Sequence, residues 1–404
     1  MKKFVAIESL RGWMAWWVVL GHAIHLSGTG ALFAGYPLKL LPAGGLAVNV
    51  FMVVSGFVIA HLLLGAREGY GPYLLRRGWR LLPLMVVMLA LAALVRPLYA
   101  LAFIDNPFAA ERAAAALRFQ SEAAAWPAHL IAHLTMLHGA LPGEILRYAN
   151  LSFLAPAWSI SLEWQFYIVA PLLLLLLTRR SAGAIAATLA ILALTPLAFS
   201  GAIGHWQVDS FLPLMTPFFL IGMTLRLVFG ARHAGEPLPW QAMLVSGIGL
   251  LVYAVARRDD PPLVILQCLT LAVAGGLFFL IAAVEVEVVR IRSPLFARLA
   301  WAVAHNPAAV AVGRVSYSTY LCHIPVFAIV VGGRIALDPD LGQRALVGWT
   351  AIAMAATLPA SFLCYRYVEA PALAWGRTLF RPRRVVAPRD DLPLPAEPAG
   401  DGGR

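Results

Sequence analysis

A histidine eleven residues after an arginine, both inside one apolar stretch, is the first pairing in this chain that can do chemistry. The stretch opens Glu8-Ser9-Leu10-Arg11-Gly12 and closes Gly21-His22-Ala23-Ile24-His25. At 3.6 residues per turn, eleven residues make almost three whole turns. A helix therefore puts Arg11 and His22 on one face, roughly 16 Å apart along its axis. Ionisable groups inside a span are costly and point to function. The plain alternative is an arginine that snorkels to the interface and a histidine bonded to a backbone carbonyl. His25, nearer the surface, fits that plain reading better.

Three further groups recur at helical spacing. Arg76-Arg77-Gly78-Trp79-Arg80 follows Arg67 and leads into Pro83. Arg76 and Arg80 share a face at i, i+4, and guanidinium forks suit phosphates. The same arginines would also serve as a topology signal. Ser159, Glu163 and Tyr167 form a polar stripe at i, i+4, i+8, which puts Glu163 about 8 Å into a span entered from outside. At that depth it is expected to meet His22, and a carboxylate with a histidine makes a general-base site; the alternative is a clamp between helices. Ser316, Tyr320 and His323 share one face of a later span, where a structural hydrogen bond between helices is as good a reading as a site role. Ser55-Gly56 reads as close helix packing. Glu369 is a partner for Arg366 or for the arginine cluster. No metal is expected: the three cysteines, Cys268, Cys322 and Cys364, lie in apolar segments without ligand spacing.

The elements that must position these residues follow from composition. Of 404 residues 61% are hydrophobic and 13% charged, and the mean hydropathy is +0.78. A soluble domain carries about 25% charged residues, so a soluble enzyme, a disordered chain and a disulfide scaffold are excluded. Apolar runs of roughly 20 residues mark helices, not barrel strands. The expected fold is all-α: a polytopic membrane protein of about ten spans, near 7–26, 43–64, 81–104, 158–177, 183–200, 211–229, 241–256, 261–284, 312–331 and 345–366. The stretches 128–141 and 295–311 read as interfacial, the first too short to span and the second interrupted by Asn306-Pro307. The net charge of +11 sits in short clusters between spans, which argues for membrane topology and against nucleic acid. With both termini cytoplasmic, most of the 31 lysines and arginines fall inside. The external loop 105–127, with Glu111, Arg112, Arg118 and Glu122, reads as a short amphipathic helix. Residues 1–376 make one transmembrane domain, and 377–404, rich in Pro, Arg, Asp and Gly, read as a disordered cytoplasmic tail.

Taken together, six pieces in order resemble the integral-membrane acyltransferase 3 family, which includes O-antigen, exopolysaccharide and macrolide O-acyltransferases. They are Leu10-Arg11-Gly12 with His22, Val48-Asn49-Val50-Phe51 into Ser55-Gly56-Phe57, Arg77 through Arg80 to Pro83, Trp158-Ser159 through Glu163 to Phe166-Tyr167, Ser316-Tyr317 through Tyr320-Leu321 to His323, and Arg366 through Glu369 to Pro371. The resemblance runs from position 4 to about 375. It implies a multi-pass protein of the cytoplasmic (inner) membrane that moves an acyl group, acetyl by expectation, from cytoplasmic acyl-CoA to a hydroxyl of a glycan or other sugar-bearing acceptor. Acyl-CoA would be a co-substrate, with no tightly bound cofactor. The resemblance carries the essential histidine onto His22, its basic partner onto Arg11, donor-binding arginines onto Arg77 and Arg80, with Arg76 beside them, and the acid onto Glu163. Asn49 stands where the family more often has Asp, so no carboxylate role is carried there. No extra-cytoplasmic hydrolase domain is expected to follow. The rival within enzymes is an acyltransferase acting on a small glycosylated molecule such as a macrolide; the rival class is a transporter of a sugar or lipid-linked intermediate with His22 and Glu163 as a proton relay, which should show inverted repeats that the sequence lacks.

Overall fold

The computed structural model describes residues 4–33, 35, 38–65, 68–258 and 260–379. Lys2, Lys3, Arg67 and residues 380–404, most of the expected tail, lie outside them. The described chain is mostly helical and contains no strand. In order, the helices are α1 (Val5–Ser27), α2 (Gly44–Gly65), α3 (Tyr70–Leu94), the short α4 (Arg112–Ala124) and α5 (Trp126–Leu134), then α6 (Trp158–Thr178), α7 (Ala182–Phe199), α8 (Leu212–Ala234), α9 (Trp240–Ala256), α10 (Pro261–Glu285), α11 (Pro294–Arg314), α12 (Ser316–Leu337) and α13 (Gln343–Leu379). Among the described residues nine helices are long and apolar enough to cross a membrane. Eight of them match expected spans. The other two expected spans are α1, which is 23 residues long but carries Glu8, Arg11 and two histidines, and α9, a shorter helix of 17 residues.

The ninth is α11, where an interfacial stretch was expected. Asn306-Pro307 does not end this helix. A wide π-type turn at Trp301–His305 precedes it, and Asn306 Oδ1 accepts from Ala309 N at 2.9 Å, so the helix restarts on a side-chain cap with proline in its first turn. Pro307 has no N–H for the Val303 carbonyl four residues back. Trp13 Nε1 of α1 supplies that bond at 2.8 Å, and Ser9 Oγ bonds the Ala304 carbonyl at 2.6 Å. The break in α11 therefore provides the acceptors that dock α1. At its other contact α1 meets α11 backbone to backbone, since a Cβ on Gly12 would stand 2.7 Å from Gly313 N.

Around α1 the bundle closes through α2, α12 and α13, with α6 and α8 packed against α2. The α2–α8 crossing is equally close. A Cβ on Gly56 would strike the Phe219 carbonyl, and one on Gly222 the Val53 carbonyl, so Gly56 has the packing role its sequence context suggested. The stretch 128–141 forms only the short α5, followed by a turn. His133 and His138 stack there at 3.9 Å between ring centroids, and His138 Nε2 lies 3.0 Å from the Ala157 carbonyl, fixing the entry to α6. Burial pushes the His133 imidazole down to about 4. At the far end Arg377–Leu379, the expected start of the tail, still belong to α13.

Gly222→Val tests the crossing. A side chain driven into backbone costs about 1–3 kcal/mol or more, so the variant should unfold at clearly lower temperature in detergent. An unchanged melting curve would contradict the close approach.

Candidate active site

Arg11 and His22 lie on α1 itself, and the other expected site residues, Arg76 and His323 excepted, join them in lining a series of cavities. The innermost, of about 10 Å³, is bounded by Arg11, Ser55, Arg77, Arg80, Glu163 and Tyr167. The next, about 30 Å³, shares Arg11, Ser55 and Glu163 and adds Ser159, Ser316 and Tyr320. The third is far larger, about 670 Å³; Tyr320 lines it too, together with His22 and His25. The three cavities thus follow one another from the arginines to the histidines through shared lining residues, the last pair through Tyr320.

The arginine end begins in α3, which starts at Tyr70, eleven residues before the expected span, and so takes the cluster into a helix. Arg76 is bound to Glu68 and does not line the cavities. Arg11, Arg77 and Arg80 enter no ion pair among the described residues. Glu369, in a wide turn of α13, accepts from Ser318 Oγ at 2.7 Å and faces Arg80 and Arg11. The end of this series at Arg77 is left with guanidinium groups available to an anion.

Glu163 is not where depth counting put it. Its carboxylate accepts from the Tyr167 hydroxyl and from Ser55 Oγ at 3.2 Å, and lies with Arg11 and Arg80. The expected pairing with His22 does not form. The reason is the entry to α6: Trp158, Pro156 and Ala155 line the same cavity as His22, so this helix starts at the histidine level inside the bundle. Five residues further along, Glu163 has passed His22 and reached Arg11. The sequence reading also missed Ser55, assigned to packing alone.

His22 instead meets His323, Nδ1 to Nε2 at 3.2 Å. One tautomer pattern satisfies every bond nearby. His323 Nδ1–H donates to the Thr319 carbonyl at 3.3 Å, which leaves His323 Nε2 as an acceptor. His22 Nδ1–H then donates to it while also reaching the Val18 carbonyl at 3.0 Å. The remaining nitrogen, His22 Nε2, keeps its lone pair and borders the large cavity. Fixing one ring nitrogen to set the other is how a histidine becomes an oriented base. Below it Ser159 Oγ donates to the Tyr320 hydroxyl at 2.9 Å, so the Tyr320 proton is free for a third group. Ser316 lines the small cavity with them. Among the described residues no cluster of three or more potential metal ligands occurs.

Fold and site define a class: a polytopic helical membrane protein with an oriented histidine inside the bundle, between a cationic pocket and a wide cavity. The chain belongs to the acyltransferase 3 family, whose pattern, described as an acyltransferase domain, matches residues 4–366. It is similar to the Staphylococcus aureus (strain COL) protein named "Putative O-acetyltransferase SACOL0978", 26% identical over 355 residues that cover 82% of this chain and 53% of that one. It is similar also to "Acyltransferase MdmB" of Streptomyces mycarofaciens, 25% identical over 380 residues, 88% of this chain and 86% of that one. The chain thus spans about half the length of the staphylococcal relatives it matches. No solved structure matches it.

The two candidate partners of His22 separate experimentally. His323→Phe removes the acceptor for His22 Nδ1–H and should lower turnover about 10²-fold or more. Glu163→Gln should lower it less than His323→Phe does, because an amide still bridges Tyr167 and Ser55. Single-turnover rates at saturating donor decide; the reverse order would return the orienting role to Glu163.

Proposed function

We propose that the protein is an O-acyltransferase that moves an acyl group, acetyl by preference, from cytoplasmic acyl-CoA to a hydroxyl of a sugar-bearing acceptor. The observation that carries this reading is His22 on the wall of the wide cavity, held by His323, with Tyr320 lining both that cavity and the small one beside the arginines. The family membership and the relatives' names support the reaction type. The concentration of basic residues at the arginine end supports placing that end in the cytoplasm.

In this mechanism Arg77 and Arg80 hold the donor's phosphates at the inner end, and the acyl-bearing arm reaches past Arg11 toward Tyr320. The acceptor hydroxyl lies in the wide cavity against His22 Nε2. As its oxygen attacks the thioester carbonyl carbon, Nε2 takes the hydroxyl proton. The Tyr320 O–H, oriented by Ser159, donates to the oxygen that becomes negative. The carbon–sulfur bond then breaks, and the departing CoA sulfur takes the proton back from the His22 imidazolium. His323 and the Val18 carbonyl stabilise that imidazolium through Nδ1–H. Because donor and acceptor approach His22 from different cavities, both are bound at once and no acyl-histidine is required.

His22→Ala should abolish transfer, with a loss of at least about 10²-fold, while acetyl-CoA affinity stays normal. Radiolabelled acetyl-CoA without acceptor should leave no acetyl group on the protein; an acetyl-histidine found by mass spectrometry would replace the base mechanism with a two-step one. Arg77→Gln and Arg80→Gln should each weaken acetyl-CoA binding about tenfold, the worth of one charge-assisted bond. Unaltered affinity in titration calorimetry would remove the phosphates from this end.

A further inference from the structure

The wide cavity holds a second set of polar groups that the transfer chemistry does not use. Besides His22 it is lined by Glu111 and Arg118, by Tyr148 and Trp158, and by Gln207. Glu111 precedes α4 and Arg118 lies within it, and both line this one cavity. Neither enters an ion pair among the described residues. Arg118 reaches the Tyr99 hydroxyl, yet its Nε is buried without a hydrogen-bond partner. A buried donor in that state costs about 1–3 kcal/mol unless something supplies an oxygen. Glu111 and Tyr148 also hold φ of 60° and 57°, a left-handed backbone that neither residue type favours. These are two of the five non-glycine residues with positive φ among the described residues, and both border this cavity.

From this arrangement we infer that the cavity seats the acceptor as an uncharged sugar ring, with Glu111 accepting from its hydroxyls and Arg118 donating to its oxygens. The inference rests on the reading of His22 as the base that meets an acceptor hydroxyl. Its own grounds are charge and shape. The one carboxylate and one guanidinium balance, so an ionised acceptor would leave a charge uncompensated in a partly enclosed site. Tyr148 and Trp158 offer flat apolar surface for the C–H faces of a ring, and Gln207 offers both a donor and an acceptor. Glu111 and Arg118 are thus positioning residues: they hold the acceptor so that one hydroxyl lies on His22 Nε2.

The test uses the full chain in lipid nanodiscs with methyl β-D-glucoside and its anionic counterpart, methyl β-D-glucuronide, as probes. Saturation-transfer NMR reads binding without donor. Radiolabelled acetyl transfer from acetyl-CoA reads KM and kcat for the same probes. The glucoside should bind the parent protein more tightly than the glucuronide does. Glu111→Gln and Arg118→Gln should each weaken it about tenfold, raising acceptor KM with kcat and acetyl-CoA KM little changed. Glu111→Gly, whose backbone suits φ of 60°, should lose binding equally while melting at the same or a higher temperature, as a merely structural carboxylate would not. Absence of glucoside binding by the parent, unchanged binding in both Gln variants, or tighter binding of the glucuronide would each overturn the inference. Binding that depends on Glu111 and Arg118 without any acetyl transfer would instead overturn the transfer reaction and leave this site standing.

Discussion

A polar group placed in hydrocarbon must be answered by another polar group from the protein, because no water is there to answer it. That constraint arranges the interior of this bundle. Glu163 is answered by Tyr167 and Ser55, Glu369 by Ser318, and His22 by the Val18 carbonyl and His323. These answers tie α6 to α2, α13 to α12 and α12 to α1, so satisfying the polar groups and assembling the helices are one event. What stays unanswered is then informative. Arg11, Arg77 and Arg80 have no ion pair among the described residues, and His22 keeps a nitrogen toward open space. These residues border the cavities that follow one another along α1, where a substrate can complete them.

Close packing makes this arrangement possible. Helices in a membrane gain little from hydrophobic burial against one another, so they depend on surfaces that fit. Gly12 against α11 and Gly56 and Gly222 across the α2–α8 crossing bring backbones into contact. The broken turn before Pro307 converts a helix defect into two acceptors for α1. At the start of α1 the Ala6 N–H, which no residue of its own turn can bond, is taken by Glu285 Oε1 at 2.9 Å. α1 is therefore held at its end, along its side and at its middle, and the spacing between Arg11 and His22 becomes a fixed distance between two pockets.

The sequence carried most of this, and its failures share one cause. Helical periodicity placed Arg11 with His22, Ser159 with Glu163, and Ser316 with Tyr320 on common faces, since those relations are internal to one helix. What it misplaced were relations between helices. Depth counted from a membrane surface assumed that α6 begins at that surface. It begins inside the bundle, which moved Glu163 from His22 to Arg11. The pairing of His22 with His323 joins positions 301 residues apart, and no spacing rule reaches that far. Ser55 looked like a packing residue because its neighbour Gly56 is one. The external segment looked unreadable because Glu111 and Arg118 acquire meaning only when folded over the cavity that His22 borders.

The narrowness of the two inner cavities is itself part of the proposed chemistry. At Arg11, Ser55 and Glu163 the cavities measure about 30 and 10 Å³, room for a water molecule or two. An acyl-bearing arm is far wider than that, so in the proposed reaction the side chains at this waist would part as the donor enters. Closed, the same waist keeps the arginine end separate from the wide cavity and keeps bulk water from a bound thioester, whose hydrolysis competes with transfer. Ser55, Tyr167 and Tyr320 hold the waist through side-chain hydrogen bonds, not through backbone, so it can open by rotamer changes while the glycine contacts that fix the helices remain. In the proposed reaction a rigid frame with a side-chain gate would let one arginine–histidine spacing serve a donor and an acceptor that enter from different cavities.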